Sequence, residues 1–183
     1  MKIVLTGPKC SGKSQIGKLL SQSFSLPFFE TDEFIERLFK KEKGEFLSCR
    51  AICSEYGEDF FRDYERRAIK QVAEHDFCVV STGGSALLNK ESRELLKQNS
   101  ILVLLYASAS KLLERVAKKG FPAFIKDQKN PKELFVARAN LVIETLKPFA
   151  SIVIDSSEID ADKTLDILIK HLRGIQELAS IIH

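Results

Sequence analysis

The sequence predicts an α/β fold, a doubly wound sheet of five parallel strands, and three observations predict it. Short apolar runs recur at Ile3–Leu5, Phe77–Val80, Ile101–Tyr106 and Ile152–Ile154, each β-branched or aromatic and apolar at successive positions. Strands buried on both faces have that composition. Segments of helical periodicity separate the runs, so strand and helix alternate and right-handed crossovers follow. A glycine-rich loop, Gly7-Pro8-Lys9-Cys10-Ser11-Gly12-Lys13-Ser14, joins the first run to the first amphipathic segment.

Taken in order, Ile3-Val4-Leu5 is the first strand, and Ile16, Leu19, Leu20 and Phe24 mark one face of the helix after the loop. Phe28-Phe29 supplies a brief fifth strand. Glu33 to Phe39 reads as a helix for which Thr31 or Asp32 is a candidate cap. Cys49 and Cys53 share a helix face, a spacing that points to packing rather than ligation. Phe77–Val80 runs into the corner Ser81-Thr82-Gly83-Gly84. Residues 118–131 combine Gly120, Pro122, Pro131 and Lys118, Lys119, Lys126 and Lys129 with little periodicity, so they read as a mobile excursion over the site. The final helix carries Leu165, Leu168, Leu172, Ile175, Ala179 and Ile182 at three and four spacing and is expected to pack on the sheet.

The 183 residues suit one domain, and 44% hydrophobic content is ordinary for a globular chain. Twenty-eight basic against 25 acidic residues leave a net charge of +3, too small a balance to imply nucleic-acid binding. The chain enters its first strand within two residues, with no signal-type apolar region and nothing near the roughly 18 apolar residues of a membrane span. A cytoplasmic protein with no membrane partner is expected. The four cysteines lack zinc-site spacing and read as reduced thiols. Cys10, at a helix N-terminus beside two lysines, is expected to be the reactive one.

The loop carries the chemistry. Its glycines allow a tight turn that points successive N–H groups into a concavity sized for a phosphate chain, and the following helix adds its positive end. Gly7, Lys9, Cys10, Ser11, Gly12, Lys13, Ser14 and Gln15 are therefore the candidate nucleotide-binding residues, for ATP. Lys13 would reach the β and γ phosphates and Ser14 the Mg²⁺ ion. The second apolar strand ends in Ser-Thr-Gly-Gly rather than in a metal-binding Asp. Glu30 and Asp32 stand instead after Phe28-Phe29, two residues apart and so on one side of an extended chain. They suit a division of work, one holding hydrated Mg²⁺ and the other orienting or deprotonating an acceptor hydroxyl. A guanine-reading Asn-Lys-x-Asp is absent, since Asn89-Lys90-Glu91-Ser92 lacks the Asp. A short chain with room for a lid and a helical acceptor subdomain favours a kinase acting on a small molecule or a nucleotide.

These residues resemble the shikimate kinase family from Lys2 to about Asp155. The resemblance rests on GPKCSGKS, Phe28-Phe29-Glu30-Thr31-Asp32, the run Gly57-Glu58-Asp59-Phe60-Phe61-Arg62-Asp63-Tyr64-Glu65, Ser81-Thr82-Gly83-Gly84, and Arg138 in a late helix. It implies a single P-loop kinase domain over residues 1–183, with an acceptor-binding subdomain at about 31–73 and a lid at about 118–131. It implies transfer of the ATP γ-phosphoryl group to the 3-hydroxyl of shikimate, with Mg²⁺, in aromatic amino acid biosynthesis, by a monomer. By the same resemblance Asp32 would polarise the acceptor hydroxyl, and Arg62 and Arg138 would bind the acceptor carboxylate, with Glu65 bracing Arg62. Gly83 and Gly84 would offer N–H groups to ring hydroxyls, Arg115 would lie on the adenine, and Ser14 and Glu30 would serve the metal.

The sequence also departs from the family. Cys10 stands where a glycine is usual, Glu30 where Asp is usual, Ser85 where a third glycine is usual and Asn140 where Pro is usual. Phe121-Pro122 replaces an Arg-Pro pair whose Arg reaches the transferred phosphate. Lys118, Lys119 and Lys126 are the neighbouring cations available in its stead. Two other readings stay open on sequence alone: a kinase for another hydroxy acid or a nucleotide, and a nucleotide-binding module with weak catalysis.

Overall fold

In the computed structural model, which describes residues 1–175, all five strands are parallel. The fully buried β1 (Lys2–Thr6) lies at the centre, and β2 (Phe28–Glu30), β3 (Val79–Ser81), β4 (Ser100–Tyr106) and β5 (Ile152–Asp155) complete the order β2-β3-β1-β4-β5. Ile3 stands opposite Val79 on one side and Ile101 on the other. Helices join the strands: α1 (Lys13–Phe24), α2 (Thr31–Lys43), α3 (Cys49–Tyr56), α4 (Glu58–Ala73), α5 (Lys90–Lys97), α6 (Ala109–Lys119), α7 (Ala123–Lys126), α8 (Pro131–Leu146) and α9 (Ala161–Arg173).

Alternation along each strand sends side chains to two separate cores. Val4, Val80, Leu102 and Leu104 pack with Ile35 and Phe39 of α2, Ile69 of α4 and Val142 of α8. Ile3, Leu5, Val103 and Leu105 pack on the other face with Ile16 and Leu20 of α1 and Leu168 and Leu172 of α9. The final helix thus covers the sheet as expected, while Ala179 and Ile182 lie outside the described residues. A third core, built from Leu112 and Val116 of α6, Ile125 of α7 and Phe135 and Ala139 of α8, gives the lid its own support.

Four expectations need correction. β3 begins at Val79: Phe77 takes φ 51° and leaves its ring 54% exposed, so only Cys78 of the preceding pair enters the core. β5 is not buried on both faces, because it is the sheet edge and turns Val153 and Asp155 outward. Neither Thr31 nor Asp32 caps α2 from outside; the helix starts at Thr31, after Glu30, without a side-chain cap. The Thr31 hydroxyl instead accepts a 3.0 Å hydrogen bond from the Gly83 N–H, pinning the β3 corner to the start of α2. The lid segment also carries the short helix α7 rather than being irregular throughout.

Candidate active site

The loop after β1 turns where the sequence places its glycines. Gly7 has φ 137°, and a Cβ there would stand 2.0 Å from the Leu105 carbonyl oxygen, so no side chain fits. Cys10 also holds a left-handed φ of 68°. Lys13 is buried and its Nζ donates to the Pro8 carbonyl at 2.9 Å, while the Ser11 hydroxyl is buried without a partner. An orphaned hydroxyl and a lysine turned onto its own loop are groups that incoming phosphate oxygens can satisfy.

A cavity of ≈ 350 Å³ opens over this loop, lined by Cys10 to Ile16, by Arg115 and Lys119 of α6, and by Ser156 and residues near the start of α9. Arg115 donates to the Cys10 carbonyl at 3.3 Å and to the Ser156 carbonyl at 3.0 Å. It therefore ties the loop to the segment after β5 at the cavity wall. Gln15, Gly12 and Ser14 line the same space, whereas Gly7 lies beneath it as a structural residue.

A second cavity of ≈ 300 Å³ adjoins the first and shares Cys10, Lys13, Ser14 and Lys119 with it. Asp32, Arg62, Glu65, Gly83 and Gly84 meet there, and Lys9 lines this cavity rather than the first. Gly83 and Gly84 are small for a packing reason: a Cβ on Gly83 would stand 2.8 Å from Glu65 Oε1, and one on Gly84 2.8 Å from the Lys9 nitrogen. The Gly83 N–H is already given to Thr31, so the expectation that both amides face an acceptor is corrected. Only the Gly84 amide has no protein acceptor among the described residues.

Two guanidiniums converge on one carboxylate oxygen. Arg62 donates to Glu58 Oε1 through Nε at 3.2 Å and Nη2 at 2.9 Å, and Arg138 donates to the same oxygen through Nη2 at 3.4 Å. Glu65 braces Arg62, with Nη1 2.7 Å from its Oε2, and Ser85 accepts from Arg138 Nε at 3.1 Å. The lid residue Phe124 lies under both, 5.6 Å from Arg62 and 5.5 Å from Arg138. Glu30, by contrast, lines neither cavity; its carboxylate lies 4.0 Å from Lys18 Nζ.

Burial sets the protonation states. It pulls the Lys13 ammonium down from 10.5 to about 8 against the attraction of Asp32. The protein crowded around Asp32 raises its carboxyl above its ordinary value even though the residue is exposed to the cavity, and the Lys13 charge only partly compensates. Burial likewise raises Glu65 despite Arg62. For Arg62 burial opposes the charge, but Glu65 and Glu58 outweigh it and the pKa is raised; Arg138 is lowered by burial and by Arg62. Cys49 donates to the Asp32 carbonyl at 3.4 Å, and burial and the nearby carboxylates push its thiol far up.

A lysine depressed in the folded state makes the unfolded chain the better proton binder between about 8 and 10.5. Stability of the free protein therefore rises as pH climbs through that interval. Phosphate oxygens reverse the depression, so nucleotide binding takes up protons. Calorimetry of ADP binding in buffers of different ionisation heat is expected to give an uptake of about half a proton or more near pH ~8.5, falling towards zero near pH ~6.5. Equal values at the two pH settings would remove Lys13 from the phosphate site.

The shikimate kinase family model matches residues 9–173, which takes in the loop from Lys9 onward, the residues lining both cavities and the lid. The chain belongs to the shikimate kinase family. The bifunctional shikimate kinase/3-dehydroquinate synthase of Thermotoga maritima is 34% identical over 181 residues, covering 99% of this chain and 34% of that protein. The chain thus spans about a third of that relative's length. The shikimate kinase of Marinomonas sp. (strain MWYL1) is 33% identical over 183 residues, covering 93% of each chain. Among solved structures, the shikimate kinase of Acinetobacter baumannii in complex with shikimate superposes with a TM-score of 0.77 over 96% of this chain and 94% of that one, at 24% identity, which establishes the shared fold.

Within this family member, Lys13, Ser14, Asp32, Arg62 and Gly84, each singled out from the sequence, line one cavity. Sequence reasoning missed Glu58 as the bridge between the two arginines, Phe124 beneath them, and Arg50, Cys49 and Cys53 on the acceptor side. A Glu four residues before Arg62 was the available signal for the first. Phe121, where the family's arginine is usual, turns its ring onto Phe135 at 5.7 Å, into the lid's own core.

Proposed function

We propose that the chain transfers the γ-phosphoryl group of ATP to the 3-hydroxyl of shikimate, giving 3-phosphoshikimate and ADP. The observation that carries this reading is the pair of cavities meeting at Lys13 and Ser14, one over the phosphate loop and the other lined by Asp32 and Arg62. A donor and an acceptor held in adjoining spaces with the loop between them are arranged for in-line transfer. The acceptor oxygen bonds to the γ-phosphorus as the bridging bond to the β-phosphate breaks and ADP leaves with that electron pair. Asp32, its pKa raised by the protein around it, is suited to take the hydroxyl proton. Arg62 and Arg138 hold the acceptor carboxylate, and the Lys13 ammonium offsets charge on the transferring group.

Mg²⁺ fits the residues present. Among the described residues no cluster of three or more His, Cys, Asp or Glu side chains could hold a metal. A magnesium ion carried on nucleotide phosphates and waters needs only one or two protein oxygens. The Ser14 hydroxyl and, through water, the Glu30 carboxylate are the hard ligands we assign to it. When bound, the ion neutralises phosphate charge. Among the described residues no helix is long and apolar enough to cross a membrane. We take the protein as a cytoplasmic monomer that uses no nucleic-acid partner.

Shikimate-dependent release of ADP from MgATP, with 3-phosphoshikimate identified as product, tests the reading. Absence of that product, or faster turnover with gluconate or a nucleoside monophosphate, would overturn it. Charge at the lid is tested separately. Lys118 is engaged with Glu114 at 3.5 Å and Lys126 with Asp127 at 3.6 Å, whereas Lys119 lines both cavities. Lys119→Ala is expected to lower kcat about tenfold, while Lys118→Ala and Lys126→Ala stay within about twofold of the parent. If all three are silent, the lid acts by shape and water exclusion alone.

A further inference from the structure

We propose that Arg50 is a clasp that holds the lid against the acceptor-binding subdomain. Arg50 is the second residue of α3, and its Nη2 donates to the Phe121 carbonyl across 71 positions of sequence. The guanidinium lies against the lid backbone: a Cβ built on Gly120 would stand 2.8 Å from Nη2 and 3.2 Å from Nη1. Gly120, at φ +81°, both adopts this turn and leaves room for the guanidinium. Among the described residues Arg50 has no carboxylate partner, so the lid carbonyl is the acceptor its charge has found. A hydrogen bond from a charged donor is stronger than a neutral one.

The Phe121 carbonyl can face Arg50 because the Phe121 ring is held the other way, edge-on to Phe135 in the lid core. One residue therefore joins two contacts, its ring to the lid and its carbonyl to α3. Arg50 and the lid residues Pro122, Ala123 and Phe124 form part of the same cavity wall as Asp32. Holding this wall together closes the acceptor space where α3 meets the lid. Water entering there would compete with the acceptor hydroxyl for the γ-phosphorus, so the clasp favours transfer over hydrolysis. Arg50 touches no reacting atom in this account; it is a positioning residue.

The kinetic side of this inference rests on the phosphotransfer reading, but the clasp itself does not, and the test separates them. Amide hydrogen exchange over residues 119–126 of the full chain without ligands should speed up about tenfold in Arg50→Ala and in Arg50→Met, which keeps the apolar stem. Arg50→Lys, which can still donate to the carbonyl, should stay closer to the parent than to either. Exchange in β1 and β4 should not change, which excludes general unfolding as the cause. With MgATP and shikimate, the ratio of ATP hydrolysis to phosphoryl transfer should rise about tenfold in Arg50→Ala and recover in Arg50→Lys. Unchanged lid exchange in Arg50→Ala and Arg50→Met overturns the clasp whatever the kinetics show. Faster exchange in a protein whose parent never phosphorylates shikimate keeps the clasp and discards the acceptor.

Discussion

Replacing Lys13 with alanine is expected to lower phosphoryl transfer by at least about a hundredfold, measured as kcat in a coupled ADP-release assay. In the free protein this lysine is buried, depressed to about 8 and turned onto the Pro8 carbonyl. The fold does not depend on its charge, because burying an ammonium works against stability. Circular dichroism and the unfolding midpoint near pH ~7 should therefore be preserved or slightly raised. With nucleotide bound, the same ammonium meets phosphate oxygens from a buried position, where one charge counts for more than it does at a surface. Near-normal turnover in a folded Lys13→Ala protein would overturn the kinase reading.

Arg62→Lys carries the second large effect. It keeps a positive charge, yet KM for shikimate is expected to rise about thirtyfold or more while KM for ATP moves less than about threefold. Arg62 uses three nitrogens, two on Glu58 and one on Glu65, so its plane is fixed before any ligand arrives. One ammonium cannot span Glu65 and an incoming carboxylate in the same geometry. Losing one or two charge-assisted hydrogen bonds, each worth about 1.5–3 kcal/mol, sets the size of the change. A loss of ATP affinity with unchanged shikimate affinity would place Arg62 in the wrong cavity.

Much of this site was legible because its parts are local. The phosphate loop needs glycine at fixed places in a short string, and a Cβ at Gly7 would collide with Leu105. Asp32 comes just after a recognisable strand, although it stands on α2 rather than on an extended chain shared with Glu30, and Arg62 lies one helical turn from each of its two glutamates. What escaped depends on tertiary placement. Nothing in the periodicity of residues 118–131 tells which way the Phe121 ring turns, and so nothing tells that its carbonyl meets Arg50. The Gly83 amide looked available because its partner, Thr31, lies 52 residues earlier. β5 read as a buried strand because the pattern Ile-Val-Ile does not reveal that no strand follows it in the sheet.

The wall common to the two cavities has a thermodynamic consequence. Lys13, Ser14, Cys10 and Lys119 face both spaces, so neither ligand can settle without altering the field and the water that the other one meets. Whatever factor a bound nucleotide imposes on acceptor affinity, the acceptor must impose on the nucleotide in return. Selectivity on one side of this enzyme is therefore a property of the other side too, and a substitution on the shared wall will register in both affinities.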